Sequence, residues 1–471
     1  MAEAMSAPQA HNVAVQALMA LERRHALFDE RHDGWSAWRA MRNPVFLAVE
    51  RLPLASAPTS NLRRAVRAIG QTAQLLRILL LSGRRDLLVK TARSGLRWQV
   101  GDKFRDIYFD GLLSRGWSYA KLEETNSHDF DAHAKRALYP GTLDPVVFTF
   151  WGRILGKLFP APVVPFCERV AHLVHQEFGV RLDPAMLRMR VSTVHWQARL
   201  YGALLRRLRP RAVLVCDTGE YALRLASGRR RVPFIELQHG VFDQSHRDAV
   251  PSWVEGDALE LMLPDRLACR GAFWVERLAD TRQGRDAAVA VGSEAIDDAR
   301  AARAEHRRDD LRRIVLTTQG LASAALADWV ARLLEAAPPD LEWQLTIKLH
   351  PVYDAGTTAY NEFASHARVR IVDGAAQPNV FALLAAADLH LSISSACHYD
   401  AAALGVPSGV VPLAGHEEML EATDGTSIFL ASDAAQVWRR IEQASDTRGP
   451  AACTERFSTP GFIDNLQRLF A

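Results

Sequence analysis

The fold is decided by three stretches of the sequence, Ile235-Glu236-Leu237-Gln238-His239-Gly240, Ile347-Lys348-Leu349-His350-Pro351 and Leu391-Ser392-Ile393-Ser394-Ser395. Each begins as an apolar run typical of a buried strand in a parallel sheet, and each delivers polar groups where that strand ends. Open α/β sheets bind their ligands at this edge. Three such junctions in order across two halves of the chain predict a cleft between two doubly wound domains. A nucleotide-dependent transferase is therefore the first functional hypothesis.

Strands alternate with helices from about residue 86 onward, a pattern typical of parallel sheets covered by helices. The first set of strands is predicted at 86–90, 118–123, 212–217 and 232–237, with long helices at 145–158 and 186–208. A second set is predicted to begin near residue 265, with strands at 267–269, 287–291, 313–317, 344–348, 369–372 and 389–393 and helices at 322–336 and 380–387. Gly and Pro punctuate the aperiodic segment 251–264, which marks the predicted boundary.

Residues 1–85 are predicted to be mostly helical, because apolar residues recur there in places at three- and four-residue spacing. Trp35 and Trp38 are expected to share a helix face as packing anchors. The chain is thus interpreted as a helical N-terminal extension (1–85), an N-terminal Rossmann-like domain (86–262) and a C-terminal Rossmann-like domain (263–471). A length of 471 residues calls for about two to three domains.

The composition is that of a globular chain, with 48% apolar and 24% charged residues. The net charge of +3 hides 57 basic residues, many of them in arginine clusters such as those at 206–211 and 229–231. These clusters fit a solvated surface, and they also fit contact with an anionic membrane or glycan. Nucleic acid is not expected as a partner.

The cysteines and the apolar segments indicate the cellular compartment in which the protein is expected. Five cysteines without paired spacing favour a reducing environment and argue against a structural zinc site. No signal peptide opens the chain, and the apolar stretch 75–81 is far too short to span a bilayer. We therefore expect a cytoplasmic protein that can touch the inner membrane from the inside.

Two strand ends of the C-terminal domain carry candidate donor-binding residues. The turn Thr318-Gln319-Gly320 offers N–H groups and a hydroxyl to an anion, although an ordinary strand-to-helix turn explains it equally well. Lys348 and His350-Pro351 end another strand, where the proline stops the ladder and leaves an imidazole at the sheet edge. That imidazole can donate a hydrogen bond to a phosphate.

A third strand end adds two serines and an aspartate. Ser394 or Ser395 can cap the helix predicted at 396–404, and the remaining N–H groups stay available to a phosphate. Asp400 lies about one turn deeper, where it could bind a ribose or simply lie on the helix surface. These residues complete the predicted donor site.

The stretch Gln238-His239-Gly240 supplies the candidate catalytic group. Gly240 permits a tight exit from the strand, so that His239 projects into the predicted cleft as the general base for an acceptor hydroxyl. Asp217, Glu220 and Glu236 are competing bases. By alternation Glu236 shares a face with Gln238 rather than with His239, which favours a buried partner.

The sequence holds none of the common metal or phosphate-loop motifs. Asp129-Phe130-Asp131, beside His128 and His133, could form a metal site, but its polar surroundings are more typical of a solvated loop. The working expectation is that phosphate is handled without a metal or other cofactor.

With these residues in place, the chain resembles bacterial GT-B-type transferases of surface-polysaccharide assembly. The group includes capsule Kdo transferases, sialyltransferases with His-Pro and Ser-Ser motifs, and teichoic-acid-type glycerophosphotransferases with His-Gly and His-Pro motifs. The matching positions are His239-Gly240, His350-Pro351 and Ser394-Ser395, over roughly residues 210–412. Asp400 departs from the common pattern, which has glutamate there. The stretch 33–42 also resembles the opening of some capsule and lipopolysaccharide proteins.

The resemblance implies two Rossmann-like domains facing a cleft, with His350 and the two serines on the donor phosphate and His239 near the reacting centre. It implies a glycosyltransferase whose N-terminal domain holds a glycan or lipid-linked glycan acceptor and whose C-terminal domain holds a nucleotide-sugar donor, with a CMP-linked acid sugar foremost. A nucleotide-sugar 2-epimerase, a glycerophosphotransferase and a non-catalytic scaffold on the same fold remain alternatives.

Overall fold

The computed structural model describes residues 7–50, 61–91, 98–123, 136–305, 310–351, 353–354, 356–374, 376–443 and 451–471. The chain divides into two compact units. The N-terminal unit comprises Ala10–Cys269, Trp274–Val289 and Ile463–Ala471, and the C-terminal unit is formed mainly by Arg270–Phe273 and Ala290–Phe462. Each contains a six-stranded sheet covered by helices, so the predicted α/β class with two Rossmann-like sheets is confirmed.

The N-terminal extension is helical, as predicted. It consists of α1 (Ala7–Arg24), β1 (Arg31–His32), β2 (Trp35–Ser36), α2 (Ala37–Val49) and α3 (Asn61–Leu81), with a 3-10 turn at Leu27–Asp29. Trp35 and Trp38 are fully buried packing anchors. They do not share a helix face, because Asp33 and Gly34 adopt positive φ values of 51° and 82° and turn the chain into the β1–β2 hairpin.

The sheet of the N-terminal unit has the order β10-β9-β8-β7-β3-β6. Its strands are β3 (Leu87–Thr91), β6 (Tyr119–Glu123), β7 (Ala212–Val215), β8 (Phe234–Leu237), β9 (Arg266–Cys269) and β10 (Ala288–Ala290), and a separate hairpin is formed by β4 (Trp98–Val100) and β5 (Lys103–Arg105). The pairings from β6 through β9 are parallel. The strand order reverses between β3 and β7, which makes this the switch point of the sheet.

The helices of this part of the chain are α4 (Asp110–Leu113), α5 (Val146–Leu158), α6 (Val164–Phe178), α7 (Pro184–Leu208), α8 (Tyr221–Arg229), α9 (Ala272–Arg277) and α10 (Arg282–Asp286). Four of them, α5 to α8, share one apolar core with the N-terminal extension. The long helix α7 starts where expected from its sequence, because Asp183 caps it by accepting from the Ala185 N–H at 2.8 Å and Pro184 follows at the first position.

The assignment of strands 267–269 and 287–291 to the second set is wrong. β9 pairs in parallel with β8, Leu237 opposite Ala268, and β10 extends the same N-terminal sheet beyond β9. The reason is that the irregular segment 251–264 is a crossover that returns to this sheet rather than a link between sheets.

The sheet of the C-terminal unit is wholly parallel, in the order β13-β12-β11-β14-β15-β16. Its strands are β11 (Arg312–Thr317), β12 (Trp343–Lys348), β13 (Val369–Val372), β14 (Leu389–Ser392), β15 (Ser408–Val410) and β16 (Ile428–Leu430). Counted from β11, this is the Rossmann order 3-2-1-4-5-6, and the switch point lies between β11 and β14.

The helices of the C-terminal unit are α11 (Glu294–Glu305), α12 (Ser323–Glu335), α13 (Val380–Ala386), α14 (Cys397–Ala403), α15 (Ala434–Gln443) and α16 (Ala451–Phe457), with 3-10 turns at Asn361–Ser365 and His416–Ala422. The last helix, α17 (Phe462–Gln467), belongs almost entirely to the N-terminal unit. Throughout the described parts of the chain, no helix combines the length and the apolar character needed to cross a bilayer.

Candidate functional site

Three loops meet at the switch point of the C-terminal sheet. β12, β11 and β14 are neighbours, and they end at Lys348, Thr317 and Ser392. Because parallel strands present their carboxyl ends at one edge, the loops that follow them lie side by side. The predicted donor-binding residues of these loops are therefore brought together. We call this group the switch-point cluster: Thr318, Gln319, Gly320, His350, Pro351, Ser394 and Ser395.

A buried aspartate that the sequence did not reveal joins two of these loops. Asp354 Oδ2 accepts hydrogen bonds from Thr318 Oγ1 at 2.6 Å, from the Gly320 N–H at 2.9 Å and from the His350 N–H at 3.2 Å. Gly320 has a φ of 69°, and a Cβ there would lie 2.7 Å from the carbonyl oxygen of Tyr353, so only glycine fits. Asp354 thus fixes the turn after β11 to the turn after β12.

The ring of His350 is oriented by its neighbours so that Nε2 is its hydrogen-bond donor. Its Nδ1 accepts from the Tyr353 N–H at 3.1 Å, and the two rings stack with centroids 4.5 Å apart. Burial lowers the pKa of His350, although Asp354 opposes the shift, so the imidazole is neutral at neutral pH. A neutral ring that accepts at Nδ1 carries its proton on Nε2, which can donate to an anion.

The serine loop is tied to the same cluster through a glutamine. The Ser394 N–H donates to Gln319 Oε1 at 3.0 Å, and the Ser394 hydroxyl donates to Glu418 Oε2 at 2.6 Å. Ser395 accepts from the Cys397 N–H at 3.2 Å, but the helix begins at Cys397 with Ala396 at the N-cap, so neither serine is the capping residue that the sequence predicted. Gln319 therefore links the loop after β11 to the loop after β14.

Two other predicted donor-binding residues have firm partners inside the C-terminal unit. Lys348 Nζ donates to the carbonyl oxygens of Asp373 at 2.6 Å and Ala376 at 2.7 Å, and so holds the loop after β13. Asp400 Oδ1 accepts from Arg270 at 2.8 Å, and its side chain is buried. Their contacts with a donor stay predictions.

A second polar group lies at the switch point of the N-terminal sheet. Lys90, near the end of β3, forms an ion pair with Glu220 in the loop after β7. Asp217, in the same loop, has its Oδ1 3.7 Å from His239 Nε2 in the loop after β8. The three predicted catalytic residues are therefore brought to one edge of this sheet, and an imidazole beside a carboxylate is a suitable general base.

The exit from β8 is shaped as the sequence predicts. Gly240 has a φ of 71°, which favours glycine, and Gln238 Nε2 donates to the Gly240 carbonyl oxygen at 3.0 Å. Gln238 is buried, so its amide stabilises the turn that carries His239. Donor contacts from Gln238 and Gly240 stay predictions.

The pKa values of two buried carboxyls in this region are shifted in opposite directions. Burial raises the pKa of Glu236 well above its usual value, and the charges of Asp248 and Asp217 raise it further. Burial also raises the pKa of Asp248, but His246, Arg39 and hydrogen bonds from Tyr221 and Thr218 together outweigh it and lower the pKa. The burial of Glu236 agrees with its interpretation as a buried partner.

Two arginines of α2, which the sequence analysis did not single out, hold the segment that follows β8. Arg39 Nε donates to the Leu261 carbonyl oxygen at 3.0 Å, and its Nη1 donates to that of Asp248 at 3.3 Å. Arg42 Nη1 donates to the Ala249 carbonyl oxygen at 2.7 Å while its Nε binds Glu22 at 2.5 Å. Both arginines lie in the stretch 33–42, whose resemblance to other proteins was the one feature of the sequence that pointed to them.

The described residues contain no group of three or more His, Cys, Asp or Glu side chains arranged to hold a metal ion. The Asp129-Phe130-Asp131 segment considered for a metal lies outside the described residues. The chemistry of the two clusters therefore has to be argued from their own side chains.

No protein-family model and no curated protein matches the chain. Solved structures share its architecture at low identity. The UDP-GlcNAc 2-epimerase from Neisseria meningitidis bound to UDP-GlcNAc aligns over 81% of this chain and 98% of its own, with 13% identity and a TM-score of 0.46. The UDP-GlcNAc 2-epimerase from Methanocaldococcus jannaschii aligns over 79% of this chain and 97% of its own, with 12% identity and a TM-score of 0.44. The wall teichoic acid polymerase TagF aligns over 87% of this chain and 97% of its own, with 10% identity and a TM-score of 0.44. At such values, an activity for this chain has to rest on its own residues.

Proposed function

We propose that the chain is a GT-B-type glycosyltransferase that moves a sugar from a nucleotide donor to a hydroxyl of a bacterial surface glycan. The observation that carries the proposal is the switch-point cluster of the C-terminal sheet. In open α/β sheets the switch point is where ligands bind, and here it is lined by groups suited to phosphate. The donor sugar considered first is a CMP-linked acid sugar.

The C-terminal unit would bind the donor. His350 Nε2 donates to a donor phosphate, and the Ser395 hydroxyl, which accepts from the Cys397 N–H, donates to it as well. The donors of Ser394 and the Thr318 hydroxyl bind Gln319, Glu418 and Asp354, so these two residues hold the loops around the phosphate. Together these groups stabilise the negative charge of the departing nucleotide by hydrogen bonding. Gln319 and Gly320 shape the loop, and Asp400 is retained as the candidate ribose contact.

The N-terminal unit would bind the acceptor and supply the base. His239 takes the proton of the acceptor hydroxyl as that oxygen attacks the anomeric carbon, and Asp217 stabilises the imidazolium that forms. Glu220, paired with Lys90, is the competing base. The acceptor is a glycan or lipid-linked glycan, and the enzyme works in the cytoplasm at the inner membrane.

The test is a panel of nucleotides and nucleotide sugars, including CMP- and UDP-linked sugars and CDP-glycerol, measured first by thermal shift and then by turnover. A glycosyltransferase releases nucleotide only when a glycan acceptor is present. Conversion of a UDP-sugar to its epimer without acceptor would identify a 2-epimerase, and consumption of CDP-glycerol would identify a glycerophosphotransferase. A chain that binds no member of the panel would be a scaffold.

A further inference from the structure

Helix α3 exposes an apolar stripe, which Arg77 interrupts. Val66, Ile69, Leu76, Leu80 and Leu81 are 62%, 60%, 53%, 72% and 74% exposed. At about 100° per residue, these five side chains fall within an arc of roughly 140°. Single exposed apolar residues are ordinary on protein surfaces, but a stripe of this kind marks an interaction site.

The opposite face of α3 is firmly attached to the N-terminal unit, so the orientation of the stripe is fixed. Leu75 and Ile78 are buried in the apolar core. Thr72 Oγ1 accepts from Trp151 Nε1 at 2.9 Å, and Gln74 Nε2 donates to the Thr142 carbonyl oxygen at 3.3 Å. These contacts turn the apolar stripe of α3 away from the N-terminal unit.

Positive charge surrounds the stripe. No acidic residue occurs in α3, and Arg77 lies within its exposed face. Arg207 Nη2 donates to the carbonyl oxygen of Leu80 at 2.9 Å, which brings the basic end of α7 beside the exposed leucines. Arg84, which follows the end of α3, and Arg206, in the last turn of α7, are also exposed. Apolar residues flanked by arginines match the two layers of an anionic bilayer surface, the acyl boundary and the phosphates.

We propose that this face of α3 inserts into the interface of an anionic lipid bilayer, with the helix lying in the plane of the membrane. The inference deepens the inner-membrane location given under the proposed function, but its test does not require the chain to be a transferase. The five apolar side chains enter the acyl boundary, and the arginines of α3 and α7 contact lipid phosphates.

The experiment is co-sedimentation of the full chain with vesicles of phosphatidylcholine alone and of equal parts phosphatidylcholine and phosphatidylglycerol. Binding is expected only to the anionic vesicles and should weaken with added salt. Leu76→Glu and Leu80→Glu should each reduce the partition coefficient into the vesicles about tenfold or more. Each variant replaces a leucine that the bilayer would bury with a carboxylate that anionic lipids repel. Val13→Glu is the matched control, since Val13 is 57% exposed on α1, outside the stripe.

Three results would overturn the proposal. They are absence of binding to anionic vesicles at low salt, unchanged binding of both leucine variants, and an equal loss in Val13→Glu. Size-exclusion chromatography tests whether a second copy of the chain covers this face instead. If the chain forms a dimer that Leu80→Glu dissociates, and binds no vesicles, the face is a contact between copies of this chain. The nucleotide thermal shift of Leu80→Glu should equal that of wild type, which separates membrane binding from failure of the proposed function.

Discussion

Removal of the Asp354 carboxylate should loosen the switch-point cluster and weaken nucleotide binding. In Asp354→Ala, the Thr318 hydroxyl and the Gly320 and His350 N–H groups lose the carboxylate that accepts from them at 2.6, 2.9 and 3.2 Å. Longer or weaker contacts remain for two of them, since Thr318 Oγ1 lies 3.4 Å from the Lys348 carbonyl oxygen and 3.1 Å from the His350 N–H. Thr318 is only 3% exposed, so water cannot fully replace the carboxylate there. A buried donor left without a partner costs about 1–3 kcal/mol, and these three share one acceptor, so we expect a total loss of about 3–4 kcal/mol in the free energy of unfolding.

Nucleotide affinity should fall as well, because the two loops must then be ordered when the ligand binds. If half of the lost stabilisation reappears as that ordering cost, the Kd rises by about tenfold or more. Urea unfolding measures the first quantity, and titration calorimetry with CMP and UDP, at a temperature where the variant is folded, measures the second.

Asp388→Ala is the matched control for this experiment. Asp388 Oδ2 accepts from the Arg313 N–H at 2.9 Å at the opposite edge of the same sheet, so its removal costs stability without touching the cluster. The reasoning is refuted if Asp354→Ala binds nucleotide as wild type does, or if Asp388→Ala loses affinity to the same degree.

Three further predictions concern His350, His239 and Glu236. His350→Ala should weaken donor binding by about 1.5–3 kcal/mol, which is the value of one charge-assisted hydrogen bond, as measured by calorimetry. A folded variant that binds the donor with wild-type affinity would contradict the role of His350. His239→Ala should lose about 10²–10⁴ in turnover but keep the nucleotide thermal shift; if Asp217→Asn or Glu220→Gln abolishes turnover instead, the carboxylate is the base. Glu236→Gln should become more stable relative to wild type as pH rises above 4.5, the usual pKa of a glutamate, because the unfolded chain then releases the Glu236 proton while the folded chain retains it. A stability difference independent of pH in urea unfolding would contradict the raised pKa of Glu236.

The sequence predicted the elements whose local pattern is strong. The runs ending at Thr317, Lys348 and Ser392 form strands within one residue of their predicted bounds, because continuous apolar residues followed by polar ones are unambiguous signals. β15 and β16 were not predicted, since each has only three residues and the first, Ser408-Gly409-Val410, includes a glycine that is depleted in strands.

Other features depend on information that no local pattern contains. The pairing of β9 with β8 is decided by the return of an irregular crossover, and the role of Asp354 is decided by a loop that brings it back beneath residue 318. The β1–β2 hairpin is different, because Asp33-Gly34 is among the strongest hairpin signals and was available in the sequence. Trp35 lies in β2 and Trp38 in α2, so the shared helix face predicted for the two side chains does not form.

The N-terminal extension is part of the compact N-terminal unit rather than a separate domain. Glu22 on α1 and Arg42 on α2 form an ion pair that is essentially inaccessible to water, with side chains 0% and 1% exposed. Such a pair contributes little net stability by itself, but loss of either partner leaves a buried charge. The pair directs the remaining Arg42 donors to the Ala249 carbonyl oxygen, while Arg39 binds that of Asp248. The segment between His239 and Asp248 is consequently anchored at its far end by α2, so the extension determines how rigidly the proposed base is held.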